Sequence, residues 1–145
     1  MDITGAVATN DSIELEQHYP HSIDDVWLAI SEADRISTWF IQADFAAKVG
    51  YAYTFTHEST TVTGKVLEVE PPRRLVYTWI VGDTGVETIV SWTLTASNDG
   101  TLLRIEHTGF ERYADTAPVM IKSSTGGWTA VATELMKYLD HLNDE

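Results

Sequence analysis

Gly64-Lys-Val-Leu-Glu-Val-Glu-Pro-Pro-Arg-Arg-Leu-Val-Tyr-Thr-Trp79 is the stretch that decides the fold class. Two runs rich in β-branched and aromatic residues, 61–70 and 75–81, flank a proline pair that cannot continue a strand ladder. Strands joined by so short a turn pair antiparallel, because parallel neighbours need a long crossover. The same punctuation continues downstream. Gly82-Asp83-Thr84-Gly85 and Asn98-Asp99-Gly100 read as hairpin turns separating strands at 75–81, 86–95 and 102–110. Upstream, strands are expected at 45–47 and 51–57, with Gly50 between them.

Further out the pattern changes at both ends. Ile13, Leu15, Gln17 and Tyr19 alternate with Glu14, Glu16 and His18, as in a half-buried strand, and Pro20 stops the ladder. Ser22 followed by Asp25 starts a helix that places Ile23, Val26, Trp27 and Ile30 on one face. A second helical turn covers 34–40, and residues 1–11 read as a loose lead-in. At the other end Trp128, Val131, Ala132, Leu135, Leu139 and Leu142 follow helical spacing. That helix begins as early as 115 or 116, with Pro118 in its first turn and Gly126-Gly127 inside it. A helix with one apolar stripe must dock, and the sheet is the only large partner.

The chain has 145 residues, 43% of them hydrophobic, enough for one core, and is read as one domain, 1–145. It carries 22 acidic against 9 basic residues, a formal net charge of −13 that repels nucleic-acid phosphates and anionic lipid head groups. Solubility explains such a surface, and a high-salt host is the sharper alternative. No apolar run reaches the ~18 residues of a membrane span. Residues 1–10 lack a basic start and an apolar core, so no signal peptide is expected. There is no cysteine, hence no disulfide framework or thiol nucleophile. The expected location is the cytoplasm.

The order strand, two helices, antiparallel strands, long final helix resembles the helix-grip fold of the START-like (SRPBCC) superfamily. The 64–79 stretch, Val90-Ser-Trp-Thr-Leu94, His107-Thr-Gly-Phe110 and Gly127-Trp128 are similar to homologues of the activator of heat-shock protein 90 ATPase, over about residues 12–143. The fold expected is therefore α+β: a curved antiparallel sheet of about six to seven strands wrapped on a long C-terminal helix, with two short helices after the first strand. The resemblance implies a cavity between sheet and helix, and a ligand-binding protein. The chaperone role that names the family belongs to larger proteins with an additional domain.

Strand alternation groups Tyr53 with Phe55, and Tyr77 with Trp79, while Trp92 shares a face with Val90 and Leu94. With Trp39 and Trp128 these rings either line an apolar cavity for a planar or lipid-like ligand or simply fill the core. The resemblance favours the cavity. His107 shares a face with Leu103 and Ile105, and Glu68 shares one with Val62, Gly64 and Val66, so both are expected to point inward. A buried Glu68 needs a partner, with His107 or Arg104 as candidates. The candidate ligand-binding set is thus Trp39, Tyr53, Phe55, Glu68, Tyr77, Trp79, Trp92, His107 and Trp128, with no catalytic residue.

His18, His21 and His57 lack metal-site spacing, so neither metal nor cofactor is expected. No nucleophile elbow or phosphate-binding glycine loop occurs. The leading reading is a hydrophobic small-molecule binder without intrinsic catalysis, monomeric or weakly dimeric. One alternative is a polyketide-cyclase-like or hydrolase-like enzyme using Glu68 and His107 as acid–base groups. A chaperone-associated interaction module is the other.

Overall fold

The computed structural model describes residues 3–9 and 11–143. Eight strands form one antiparallel sheet in the order β1-β2-β8-β7-β6-β5-β4-β3. They span β1 Ile3–Ala8, β2 Ser12–Tyr19, β3 Gln42–Asp44, β4 Ala52–His57, β5 Thr60–Glu70, β6 Arg74–Val81, β7 Glu87–Ser97 and β8 Gly100–Thr108. Helices α1 (Ile23–Ser31) and α2 (Ala33–Trp39) separate β2 from β3. They carry the chain from the middle of one half of the sheet to its far edge. Ser22 caps α1 by accepting the Asp25 N–H at 3.2 Å, as its spacing predicts.

A 3-10 segment, Phe110–Thr116, leads from β8 into α3 (Ala117–Asn143), which runs unbroken through Gly126 and Gly127. Both glycines are exposed and meet nothing within 4 Å, so they cost helix propensity, about 1 kcal/mol each, without a packing return. The helix holds its course because its opposite face is buried: Ile121, Trp128, Ala132, Leu135 and Leu139 lie against the sheet. The Tyr19 hydroxyl donates to the Ala132 carbonyl at 2.9 Å and ties α3 to β2. Leu142, expected on this stripe, is instead 37% exposed.

Three expectations need correction. The lead-in is not loose where it is described: Ala6, Val7 and Ala8 pair with Leu15, Glu14 and Ile13 of β2, which raises the strand count to eight. Met1, Asp2 and Asn10 lie outside the described residues. The strand expected at 45–47 falls earlier, at β3, and Phe45 enters the core from the loop that follows. The third concerns β5. Val66 faces Tyr77 but Glu68 faces Val76, so Leu67 is an extra residue, a bulge that turns the rest of the strand over. Beyond it Val69 packs on the core, while Glu68 is exposed.

Candidate functional site

Inward side chains of β4, β6, β7 and β8 form a continuous aromatic layer capped by α3. Tyr53 and Phe55 stand 4.6 Å apart between ring centroids, and Tyr53 meets Tyr77 at 5.0 Å. Phe55 reaches Trp79 at 6.1 Å, and Trp79 reaches Trp128 of α3 at 5.3 Å. Trp92 approaches Trp128 edge-on at 5.8 Å, the geometry that ring quadrupoles favour. From α2, Trp39 stacks on Phe40, which touches both Phe55 and Trp128. Trp39, Phe40 and Trp79 are half-buried, whereas the other rings named are buried.

The layer depends on Gly64. A Cβ there would lie 2.1 Å from the Thr78 carbonyl oxygen and 2.8 Å from the Tyr53 ring. Without it, Tyr53 lies across β5 and donates its hydroxyl proton to that carbonyl. Burial raises the pKa of both Tyr53 and Tyr77, so each stays a neutral phenol.

His107 is 2% exposed and sits between two polar partners. The Trp128 indole N–H donates to Nδ1 at 2.9 Å, so the ring proton is on Nε2. Nε2–H donates to Thr88 Oγ1 at 2.7 Å, and Thr88 donates to the Trp79 carbonyl at 3.1 Å. The chain of donors runs in one direction and needs a neutral imidazole. Desolvation pushes the His107 pKa down to about 3.

The pH dependence follows in sign. Below the unfolded-state value of about 6.5 the unfolded chain takes up a proton that the folded chain refuses, so stability falls with pH until the folded value is reached. Between pH 6.5 and 5 this one residue should remove about 1–2 kcal/mol, compared with a His107→Gln variant in which every other group titrates as before. Urea denaturation of both proteins at the two pH values measures the difference. Equal losses would mean that His107 is protonated in the folded state.

Eight of the nine expected residues are therefore joined, from Trp39 to His107. Glu68 is not among them. The β5 bulge sends it to the outer face, where Arg74 Nε lies 3.0 Å from its carboxylate. Arg104, its other suggested partner, lies on Glu14, Glu16 and Glu106. Glu68 and His107 thus lie on opposite faces of the sheet and form no acid–base pair. The sequence reading passed over Phe45, which packs on Tyr53 and Tyr77, and Thr88. Alternation with Val90, Trp92 and Leu94 already put Thr88 on the inward face. His18 and His21 go to separate carboxylates, Asp99 and Asp140.

Among the described residues, two clefts of about 340 Å³ lie outside the aromatic layer. One runs along Asp11, Ser12, Glu87, Thr88 and Arg112 at the sheet end. The other lies over β4–β6 and shares only Tyr53 with the aromatic layer.

The family profile described as Activator of Hsp90 ATPase homolog 1-like protein matches residues 20–140. No curated protein matches the chain at a significant level. Among solved structures, the chain is similar to protein MLL2253 from Mesorhizobium loti, at 26% identity over 90% of this chain and 97% of that one, with a TM-score of 0.82. It is similar to CalU16 from Micromonospora echinospora, at 28% identity over 93% and 82% of the respective chains, with a TM-score of 0.72. The Aha1 dimer from Colwellia psychrerythraea, at 17% identity over 88% and 95%, shares the fold with a TM-score of 0.77.

Proposed function

The chain belongs to the Activator of Hsp90 ATPase homolog 1-like family, and from that premise we propose that it is a binding protein for a neutral, apolar small molecule, planar or lipid-like, that it holds without converting. The observation that carries this reading is the aromatic layer between sheet and α3, which ends in the half-buried pair Trp39 and Phe40. Its fully buried members lie in a desolvated interior where His107 is held neutral, so an uncharged ligand suits it better than an ion. We assign entry to the Trp39–Phe40 end, where half-buried Phe40 lies between Phe55 and Trp128.

The protein is taken to act in the cytoplasm, as a monomer or weak homodimer. The sequence has no cysteine, and among the described residues no helix is long and apolar enough to cross a membrane.

Equilibrium dialysis against 2-ethylnaphthalene tests the reading. Saturable binding is expected, weakened about tenfold in Trp79→Ala, since one ring contact is worth about the 1.4 kcal/mol of a tenfold change. An absence of saturable binding across a set of planar and acyl-chain hydrocarbons would overturn it.

A further inference from the structure

The buried polar members of the aromatic layer almost all commit their hydrogens to protein acceptors. Tyr53 donates to the Thr78 carbonyl, Trp128 to His107, and Trp92 to the Tyr77 oxygen at 2.8 Å. Tyr77 is the exception. It is 2% exposed, its oxygen accepts the Trp92 indole N–H, and among the described residues no acceptor takes its own O–H. A phenol has one proton to give, and leaving a buried donor unmade costs more than a made bond returns. Around the Tyr77 ring stand Phe45, Tyr53, Phe55 and Trp79, which present ring faces and edges.

We infer that Tyr77 is the polar anchor of the binding site: its hydroxyl donates to an acceptor oxygen, carbonyl or ether, of a flat aromatic guest lying against the Tyr77–Trp79 face. The inference rests on the ligand-binding reading given above and narrows its ligand class. Trp92 sets the direction of this bond. By donating to the Tyr77 oxygen it occupies one lone pair and turns the phenol into a donor toward a guest, and the bond cooperatively sharpens that donor. Burial, which keeps the phenol protonated, preserves the donor at every working pH. A charged carboxylate would gain the same bond but lose its hydration, so a neutral oxygen fits the site.

A matched pair of probes tests this: 2-acetonaphthone, which carries a ketone oxygen, and 2-ethylnaphthalene, which has the same shape without it. The native chain should bind the ketone about tenfold more tightly than the hydrocarbon, and in Tyr77→Phe that ratio should fall to about one. Hydrocarbon binding with no ketone preference in the native chain, or a preference that survives in Tyr77→Phe, overturns the anchor and leaves the ligand-binding reading standing. Failure of both probes to bind overturns the anchor for a flat aromatic guest, and the ligand-binding reading falls with it only if the set of planar and acyl-chain hydrocarbons fails as well. Infrared spectra of 2-acetonaphthone on the native chain give a readout that does not depend on the variant folding. The ketone band should fall below its position in alkane, and a band at the alkane position refutes the bond.

Discussion

Leu135→Ala is expected to lower the free energy of unfolding by about 2–5 kcal/mol, and toward the upper part of that range. Leu135 is fully buried on the docked face of α3, one turn beyond Ala132, whose carbonyl accepts the Tyr19 hydroxyl. That bond fixes the helix height over β2. The helix therefore cannot sink to close the space left by the lost methyl groups, and the unfilled volume adds to the lost transfer energy. Alanine is at least as good a helix former as leucine, so local propensity cannot account for a loss. Urea denaturation should move the midpoint while leaving its slope unchanged, the sign that stability alone has altered. A loss below about 0.5 kcal/mol would mean that α3 does not dock through this turn.

Much of this fold can be read from alternation. Ile13, Leu15 and Tyr19 on β2, Val90, Trp92 and Leu94 on β7, and Leu103, Ile105 and His107 on β8 are all inward and buried, as their two-residue period demands. What the pattern conceals are backbone events. The bulge at Leu67 inserts one residue without any side-chain signature, and it reverses every assignment after it, Glu68 included. Strand β1 is an edge strand held by its ladder to β2, and Ile3-Thr4-Gly5-Ala6-Val7-Ala8 shows no clean alternation to announce it. The Trp128–His107–Thr88 chain joins α3, β8 and β7, so no local window contains it. The individual aromatic residues were legible because each obeys its own strand or helix period. Their contact order was not, since it depends on the pairing of distant strands.

That contact order makes Trp92→Ala the most damaging change expected in the sheet, at about 3–5 kcal/mol. Trp92 is 1% exposed on β7, between Leu75 of β6 and Ile105 of β8, so strands on both sides hold the backbone in place and prevent collapse. Its ring is the edge that meets Trp128, and its N–H is the partner of the Tyr77 oxygen. Truncation therefore removes a large apolar volume and strips a buried phenol of its bonded donor in one step. Trp92→Phe separates the two losses, because it keeps an aromatic ring but no N–H. If the hydrogen bond carried most of the cost, the phenylalanine variant would lose nearly as much as the alanine one. Its net worth is only about 0.5–1.5 kcal/mol, so the phenylalanine variant should retain more than half of the stability lost by alanine. Urea denaturation of the three proteins gives both differences. Equal losses in the two variants would assign the energy to the Trp92–Tyr77 bond and not to the ring. A loss under about 1 kcal/mol in Trp92→Ala would mean that the layer closes over the gap, and that its rings are interchangeable filling and not a fixed surface for a guest.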